Sequence, residues 1–132
     1  MMDSAPLGQP PEDGCPFCSD ERAVLRNACA FALSDRYPVT PGHLLIVPRR
    51  HVADFFQTTP RERRAMFALL ERAKRLLDQR HSPAGYNVGV NVGEAAGQTV
   101  MHVHVHLIPR YRGDVANPRG GVRGVIPAKQ SY

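Results

Sequence analysis

Met101-His-Val-His-Val-His-Leu-Ile-Pro109 is the stretch that decides the fold, because histidine alternates in it with valine and leucine. A period of two residues is typical of a β-strand that has one buried face. We expect Val103, Val105 and Leu107 to point into the core and the histidines to line the opposite face. The alternating histidines are His102, His104 and His106.

The spacing of these histidines limits what they can do together. Adjacent imidazoles on one strand face lie about 6.6 Å apart, so two of them can share a metal ion whereas all three cannot. Near neutral pH, histidine acts as a base, an acid, a nucleophile or a metal ligand. A polar sheet face and a histidine-rich metal clamp are the alternative interpretations. Three histidines in strict alternation with large apolar residues favour a reactive site over these two alternatives.

Composition bounds the class of protein. The 132 residues, 42% of them hydrophobic, suit a single globular domain. The net charge of +5 is compatible with a polyanionic substrate, and no basic tail or block of like charges indicates nucleic-acid binding. No apolar run approaches the roughly 18 residues that a membrane span needs. Neither a nucleic acid nor a membrane is therefore expected as a partner.

The N-terminus and the cysteines bear on the compartment. Residues 1–14 are rich in proline, glycine and aspartate and lack the apolar core of a signal peptide. We therefore expect a flexible N-terminus on a cytoplasmic protein. Three cysteines are an odd number, which argues against a disulfide framework and fits a reducing compartment. Cys29 falls in an expected strand, where it would be a small buried hydrophobe.

One long helix is predicted from its start and stop signals. Thr59 suits the N-cap, Pro60 suits the first helical position, and Glu62 completes a capping box. Apolar residues then recur at helical spacing over residues 66–77. The helix cannot continue past Pro83, because proline has no amide hydrogen to donate.

Several other segments predict strands. Residues 23–33 can hold a strand pair broken near Asn27, and residues 44–47 form an apolar run that ends at Pro48. Residues 87–92 alternate valine with glycine and asparagine, which indicates a strand that a ligand or another backbone approaches closely. With the histidine-bearing strand and the helix, these segments predict an α+β domain with an antiparallel sheet.

Three blocks of the sequence resemble a known family. Residues 102–108, His-Val-His-Val-His-Leu-Ile, resemble the signature of the histidine triad (HIT) nucleotide hydrolases and transferases. Residues 42–48, Gly-His-Leu-Leu-Ile-Val-Pro, resemble the second sequence block of that family. Residues 97–100, Gly-Gln-Thr-Val, resemble the loop that the family places over the reacting phosphate. The resemblance covers roughly residues 15–110.

The resemblance carries expectations about the fold. It implies a HIT-like α+β domain with an antiparallel sheet of about five strands, one long helix and a short helix. Such domains usually pair into a homodimer with one continuous sheet. We expect a single HIT domain over residues 15–132, with its core over about residues 15–110 and a C-terminal tail over residues 111–132. In that tail, Arg119 and Arg123 are candidates for contact with a second phosphate, with solvated arginines as the alternative.

The resemblance also implies roles for the reactive residues. It makes His104 the nucleophile, which becomes transiently nucleotidylated. His106 and His43 match the flanking histidines that contact the phosphate and offset negative charge in the transition state. Gln98 matches the residue beside the bridging oxygen of the leaving group. On sequence grounds alone, His43 would be a structural histidine at the start of a strand.

Four further residues match positions around the substrate. Asp35 matches the acceptor of the ribose hydroxyls, a role that suits a carboxylate because it can only accept hydrogen bonds when ionised. Asn91 matches an asparagine near the phosphate, Gly97 belongs to the loop over it, and the hydroxyl of Thr99 can donate in the same region. Ordinary turn and loop positions are the alternative for each.

The pair Cys15 and Cys18 forms a C-x-x-C motif, which is half a zinc site or a redox pair. No βαβ pattern beside it supports a thioredoxin-like function. Zinc takes four nitrogen or sulfur ligands, and the resemblance supplies His51 and His102 as the other two. A zinc site of this kind would staple the N-terminal segment to the sheet and add stability rather than catalysis. Two reduced thiols in a turn are the alternative, and no organic cofactor is expected.

The leading functional hypothesis is a nucleotide hydrolase that cleaves dinucleoside polyphosphates, of the diadenosine polyphosphate class, at the α-phosphate. The alternative within the same chemistry is a nucleoside phosphoramidate hydrolase. A uridylyltransferase is disfavoured, because Val103 stands where those enzymes have proline. Two other classes remain: a slow nucleotide-binding regulatory module and a structural metal-binding protein. The intact set of reactive histidines argues against the module, because binding alone needs no nucleophile.

Overall fold

The chain forms one antiparallel sheet with a single long helix, here in a computed structural model that describes residues 14–132. The strands lie in the spatial order β1-β2-β3-β5-β4, and every neighbouring pair is antiparallel. This architecture confirms the predicted α+β class. In chain order the elements are β1 (Leu25–Arg26), β2 (Ala30–Ser34), β3 (Leu44–Pro48), α1 (Pro60–His81), β4 (Gly85–Val90) and β5 (Val105–Arg110).

Strand β3 is wholly buried and divides the core between the two faces of the sheet. Its residues Leu44 and Ile46 pack beneath α1 in a cluster that includes Met66 and Leu69. Full burial of one such side chain stabilises the fold by about 1.5–3 kcal/mol. On the other face, Leu45 packs in a second cluster that includes four more residues. These four are Phe17, Phe31, Leu33 and Val47.

The start of α1 has the predicted capping box. The hydroxyl of Thr59 accepts from the amide of Glu62, and the carboxylate of Glu62 accepts from the amide of Thr59. Both Glu62 oxygens also accept from the guanidinium of Arg50, at 3.0 and 2.8 Å. One buried carboxylate therefore ties the beginning of the helix to the segment after β3, where His51 lies.

The histidine-bearing strand begins later than predicted. Strand β5 starts at Val105, so His102 and His104 precede it, and the prediction of a strand through all three histidines is wrong at this end. The amide of Val103 instead donates to the carbonyl of Val52 at 2.8 Å, which draws this backbone away from the β3–β5 ladder. The valines are buried as predicted, but His102 is buried too.

Other boundaries also differ from the sequence-based expectation. Cys29 lies in the turn between β1 and β2 and is half-buried, because Asn27 accepts from the amides of Cys29 and Ala30 and closes that turn. The strand expected over residues 87–92 runs instead over β4, and Asn91 follows its end. In place of one short helix there are short 3-10 turns at Phe55–Gln57, Glu94–Ala96, Gly121–Val125 and Pro127–Lys129.

The structure also describes how the chain begins and ends within residues 14–132. Of the expected flexible segment, only Gly14 lies among the described residues. The C-terminal tail, residues 111–132, folds back beside β4. A Cβ added at Gly121 would lie 3.4 Å from the side-chain nitrogen Nδ2 of Asn87. Among residues 14–132, no helix combines the length and the apolar character that crossing a membrane requires.

Candidate active site and metal centre

A cavity of about 760 Å³ lies on the face of the sheet opposite α1. The cavity floor comes from Leu33, Leu45 and Ile108, whose side chains alternate with those that pack beneath the helix. Strand pairing places Leu45 directly across from His106, so β3 and β5 bring that histidine onto the same face. Seven of the residues predicted from the sequence line this cavity: Asp35, His43, Asn91, Gly97, Thr99, His104 and His106.

The imidazole of His104 has a fixed orientation. Its Nδ1 lies 2.9 Å from the carbonyl oxygen of His102. A carbonyl only accepts, so Nδ1 carries the proton and the neutral ring keeps a lone pair on Nε2. Nε2 makes no hydrogen bond within the described part of the chain and is not a buried, unpartnered atom. The structure therefore presents an unprotonated imidazole nitrogen at the cavity.

A second chain of hydrogen bonds orients His43 and His106. The amide of Val39 donates to Nδ1 of His43 at 3.0 Å, so the proton of this ring lies on Nε2. That Nε2 is 2.9 Å from Nδ1 of His106, which accepts the hydrogen bond and leaves the His106 proton on Nε2. The chain thus ends in an N–H group of a residue that lines the cavity.

Both of these histidines are neutral at physiological pH. Burial lowers the pKa of His43, and it lowers the pKa of His106 to about 4, with the nearby His104 and His43 adding to the effect. The carboxylate of Asp35 lies 3.5 Å from Nε2 of His43 and 4.0 Å from Nδ1 of His106 and acts in the opposite direction. The desolvation caused by burial outweighs that attraction, because it disfavours the charged form of each ring.

The turn before β3 places His43 at the cavity. Gly42 has a φ of +92°, a left-handed conformation that glycine adopts without steric cost. A Cβ at this position would also lie 3.0 Å from the side chains of Leu77 and His81, both on α1. Glycine is therefore required at this point if the turn is to pack against the helix and deliver His43 to the sheet face.

Gln98 lies apart from the other predicted residues. Its Oε1 accepts from the amide of Gly93, and its Nε2 donates to the carbonyls of Ala53 and Val100. The side chain is buried, and its amide holds the loop that carries Gly97 and Thr99 to the cavity. The role of Gln98 beside a leaving group stays a prediction.

The sequence interpretation missed two walls of the cavity. Phe17 lines it and lies with its ring centroid 4.9 Å from that of His104. From the tail, Val122 and Val125 also line the cavity. The tail arginines do not line the cavity, because Arg119 and Arg123 stack on Tyr132 with their guanidinium carbons 4.9 and 5.0 Å from its ring. No signal in the sequence pointed to Phe17, because the two cysteines already account for the C-x-x-C motif.

The four predicted metal ligands converge beside the cavity. Nδ1 of His51 lies 3.2 Å from Nδ1 of His102, and Sγ of Cys18 lies 3.2 and 3.5 Å from these nitrogens. Sγ of Cys15 lies 3.6 Å from Nδ1 of His102. The four ligand atoms are all within 4.8 Å of one another.

This geometry fits a tetrahedral zinc site. Zinc bonds of about 2.0–2.1 Å to nitrogen and about 2.3 Å to sulfur separate two nitrogens by about 3.3 Å and a nitrogen from a sulfur by about 3.6 Å. Nε2 of His102 donates to the carbonyl of Pro48 at 2.7 Å, so Nδ1 offers its lone pair to the cluster. Burial raises the pKa of the Cys15 thiol, so the thiolate needs a cation beside it.

Asp35, His43 and His106 also lie within ligand distance of one another, but their protons make them a poor metal site. Because Nδ1 of His43 accepts from a backbone amide, its Nε2 carries a proton and has no lone pair for a metal. The 2.9 Å separation between His43 and His106 is that of a hydrogen bond. We interpret this group as a hydrogen-bonded chain rather than a second metal centre.

Comparison with known proteins identifies the family. The HIT domain profile matches residues 18–113, and this chain belongs to the HIT family. AP-4-A phosphorylase of Mycobacterium tuberculosis is 38% identical over 102 residues, 75% of this chain and 52% of that protein. The asymmetrical bis(5'-nucleosyl)-tetraphosphatase of Schizosaccharomyces pombe is 36% identical over 98 residues, 74% of this chain and 54% of that protein. The chain thus spans about half the length of these curated relatives.

A solved structure supports the fold. The crystal structure of a Zn-bound histidine triad family protein from Mycobacterium smegmatis aligns with a TM-score of 0.70 at 31% sequence identity. The alignment covers 80% of this chain and 81% of that one. The resemblance stated from the three sequence blocks is thereby confirmed at the level of family and fold.

Removal of one sulfur ligand provides a test of the metal cluster. We expect purified protein to contain near-stoichiometric metal and Cys15→Ser to lose it, with a fall in Tm of about 5 °C or more. The matched control is Cys29→Ser, since Cys29 lies outside the cluster. Elemental analysis and differential scanning calorimetry measure both effects. Purified protein that contains no metal, or a Cys15→Ser variant that keeps the Tm of the unaltered protein, would contradict the assignment.

Proposed function

We propose that this protein is a nucleotide hydrolase that cleaves dinucleoside polyphosphates at the α-phosphate through a nucleotidyl intermediate on His104. The observation that carries the proposal is the orientation of His104, whose Nδ1 is bonded to the His102 carbonyl while its Nε2 is free. A module that only binds nucleotides has no need of such a nucleophile. The names of the two curated relatives, a phosphorylase and a tetraphosphatase, support the same substrate class.

In the first step, Nε2 of His104 attacks the α-phosphorus, and the bond from phosphorus to the bridging oxygen breaks. The electron pair of that bond leaves with the remaining nucleotide. The ring becomes positively charged, and the hydrogen bond from its Nδ1–H to the His102 carbonyl strengthens. The neutral His106 donates its Nε2–H to the phosphate, where negative charge grows in the transition state.

In the second step, water attacks the phosphorus and the P–N bond breaks. Imidazole regains its lone pair, the mononucleotide is released, and the proton of the water passes to solvent. The buried His43 acts through His106, because its own Nε2–H is used in the bond between the two rings. We assign Asp35 to the ribose hydroxyls, and Asn91, Gly97 and Thr99 to the phosphate region, since all four line the cavity.

The nature of the leaving group favours polyphosphates over phosphoramidates. A terminal phosphate has a second pKa near 6, so a polyphosphate departs as an anion at neutral pH with little need of a proton. An amine leaving group needs a full proton transfer. Both amide hydrogens of Gln98 are used by the carbonyls of Ala53 and Val100, which leaves no donor from this side chain. Assays of diadenosine polyphosphates beside adenosine phosphoramidate decide between the two.

The M. tuberculosis relative suggests a second outcome for the intermediate. A phosphorylase resolves its intermediate with inorganic phosphate, whereas a hydrolase uses water. Diadenosine tetraphosphate then yields ADP and ATP in the first case and AMP and ATP in the second. Product analysis with and without inorganic phosphate distinguishes the two reactions on the same enzyme. We propose the hydrolytic outcome, with phosphorolysis as the alternative.

We further propose that the Cys₂His₂ cluster holds zinc and that the protein works in the cytoplasm, where its three free cysteines stay reduced. When bound, zinc supplies a fixed positive charge that keeps the cysteines as thiolates. No organic cofactor enters the proposed reaction, and the nucleotide is the substrate.

Replacement of the nucleophile tests the mechanism. His104→Ala is expected to lower kcat by at least about 10³-fold, because the covalent route is lost while the cavity remains. Mass spectrometry of enzyme quenched without acid should find a nucleotidyl adduct on His104 in the unaltered protein. Glu71→Ala, at an exposed residue in the middle of α1, is the control. An adduct on another residue, or full activity of His104→Ala, would refute the mechanism.

The two flanking histidines should have smaller effects. His106→Ala and His43→Ala are each expected to lower kcat by roughly 10- to 1000-fold, the range for losing one donor aimed at the transition state. The adduct on His104 should still form, only more slowly, in rapid-quench experiments. If either variant abolishes the adduct and matches the loss of His104→Ala, the assignment of the nucleophile is wrong.

The exposed sheet edge suggests a homodimer. The six-residue strand β4 lies at one edge of the sheet, where unpaired backbone groups invite pairing with another strand. We propose that two copies join along β4 into one continuous sheet. Sedimentation equilibrium should then give twice the mass of one chain, and the mass of a single chain at assay concentrations would contradict the proposal.

A further inference from the structure

The metal cluster and the nucleophile share two structural links. The sequence predicts only that the cluster staples the N-terminal segment. In the structure, the loop between the two cysteine ligands touches His104, and so does the backbone of a histidine ligand. We propose that the cluster positions His104, so that metal occupancy sets the orientation of the nucleophile. This inference rests on the proposed function, because it assumes that His104 attacks phosphorus.

The first link is Phe17, which lies between the ligands Cys15 and Cys18 in the chain. Its ring centroid is 4.9 Å from that of His104 and 6.2 Å from that of His102. The ring is 8% exposed and packs on the same apolar cluster as Leu45, beside the cavity. Phe17 therefore forms a wall against which the nucleophilic ring rests.

The second link is the backbone of His102. Its side chain is a ligand of the cluster through Nδ1, while its carbonyl accepts the Nδ1–H of His104 at 2.9 Å. The His102 side chain is held at both ring nitrogens, through Nε2 by the Pro48 carbonyl and through Nδ1 by the cluster, and the same residue supplies the carbonyl. The carbonyl that keeps the proton on Nδ1 of His104 is thus part of a metal ligand.

The loop is held by the apolar packing of Phe17 and, through its polar contacts, by the cluster. Among the described residues, the polar contacts that join residues 15–18 to the rest of the protein all run from the cysteine sulfurs to His51 and His102. Those contacts bring together four possible ligand atoms within 4.8 Å of one another. Without a cation, only weak hydrogen bonds from thiols or a ring N–H join these four groups, so we expect the arrangement to loosen.

Loss of the metal should affect the rate of nucleotidylation more than the affinity for the nucleotide. Most of the cavity lining comes from other elements, including Leu33, Leu45 and Val125. A nucleophile about 1 Å out of place costs about 100-fold in rate. We therefore expect loss of metal to slow nucleotidylation of His104 about 10- to 100-fold while the affinity for AMP changes only a few-fold.

The experiment compares metal-loaded protein with chelated protein, below the Tm of the latter. Long-range ¹H–¹⁵N NMR reports which nitrogen of His104 carries the proton, rapid quench gives the rate of adduct formation, and calorimetry gives the affinity for AMP. We expect the Nδ1–H signature in the loaded protein and a mixture of protonated nitrogens in the chelated protein. Cys15→Ser should behave as the chelated protein does, and Cys29→Ser as the loaded one.

A second pair of variants covers the case in which the metal-free protein does not fold. Phe17→Ala, tested with the metal still bound, should show the same mixed His104 signature and slow nucleotidylation. Phe17→Leu should restore both towards the original values, because it keeps most of the apolar contact.

Two outcomes separate the inference from the proposed function. A chelated, folded protein that nucleotidylates His104 at the loaded rate with an unchanged NMR signature overturns the inference and leaves the function intact. If the metal-free protein unfolds, unchanged behaviour of Phe17→Ala overturns it in the same way. Full activity of His104→Ala instead removes the proposed function, whatever the metal does.

Discussion

The hydrogen bond from His104 to the carbonyl of His102 is the interaction on which the chemistry of this site depends. A neutral imidazole has one proton and one lone pair, so the partner of one nitrogen decides what the other can do. The same rule applies at His102, whose Nε2–H is held by the Pro48 carbonyl and whose Nδ1 faces the cluster. Backbone carbonyls thus fix the ring protons of the proposed nucleophile and of a proposed metal ligand two residues apart in one segment.

The pairing register between β3 and β5 decides which residues surround the histidine-bearing segment. Leu44 pairs with Leu107 and both point to the helix, whereas Leu45 pairs with His106 and both point to the cavity. A slip of one residue would exchange the two faces and bury His106 beneath α1. The packing of Leu44 and Leu107 against the helix therefore also fixes the distance between His106 and His43, which immediately precedes β3.

Local signals in the sequence predicted much of this frame. The capping box of Thr59 and Glu62 and the burial of Val103, Val105 and Leu107 follow from short-range patterns, and both are present. The position of His102 did not follow, because a period of two residues cannot show where strand pairing begins. That start is set by the contact between Val103 and Val52, which lie far apart in the chain. The folded-back tail likewise depends on distant contacts.

The Cys-Pro-Phe-Cys segment shows why a motif can hide part of a site. Its two sulfurs explain the spacing of the cysteines completely, so nothing in the motif requires Phe17 to have a role of its own. Yet a loop of two residues between two proposed ligands has little backbone freedom, and its ring is held further by packing with Leu33 and Leu45. An imidazole that must keep one nitrogen aimed at phosphorus benefits from such a wall, because free rotation about its side-chain bonds would spread the lone pair over many directions. Within the described chain, the ring of Phe17 lies beside both His102, a proposed ligand, and His104, the proposed nucleophile, so the two proposed centres share one wall.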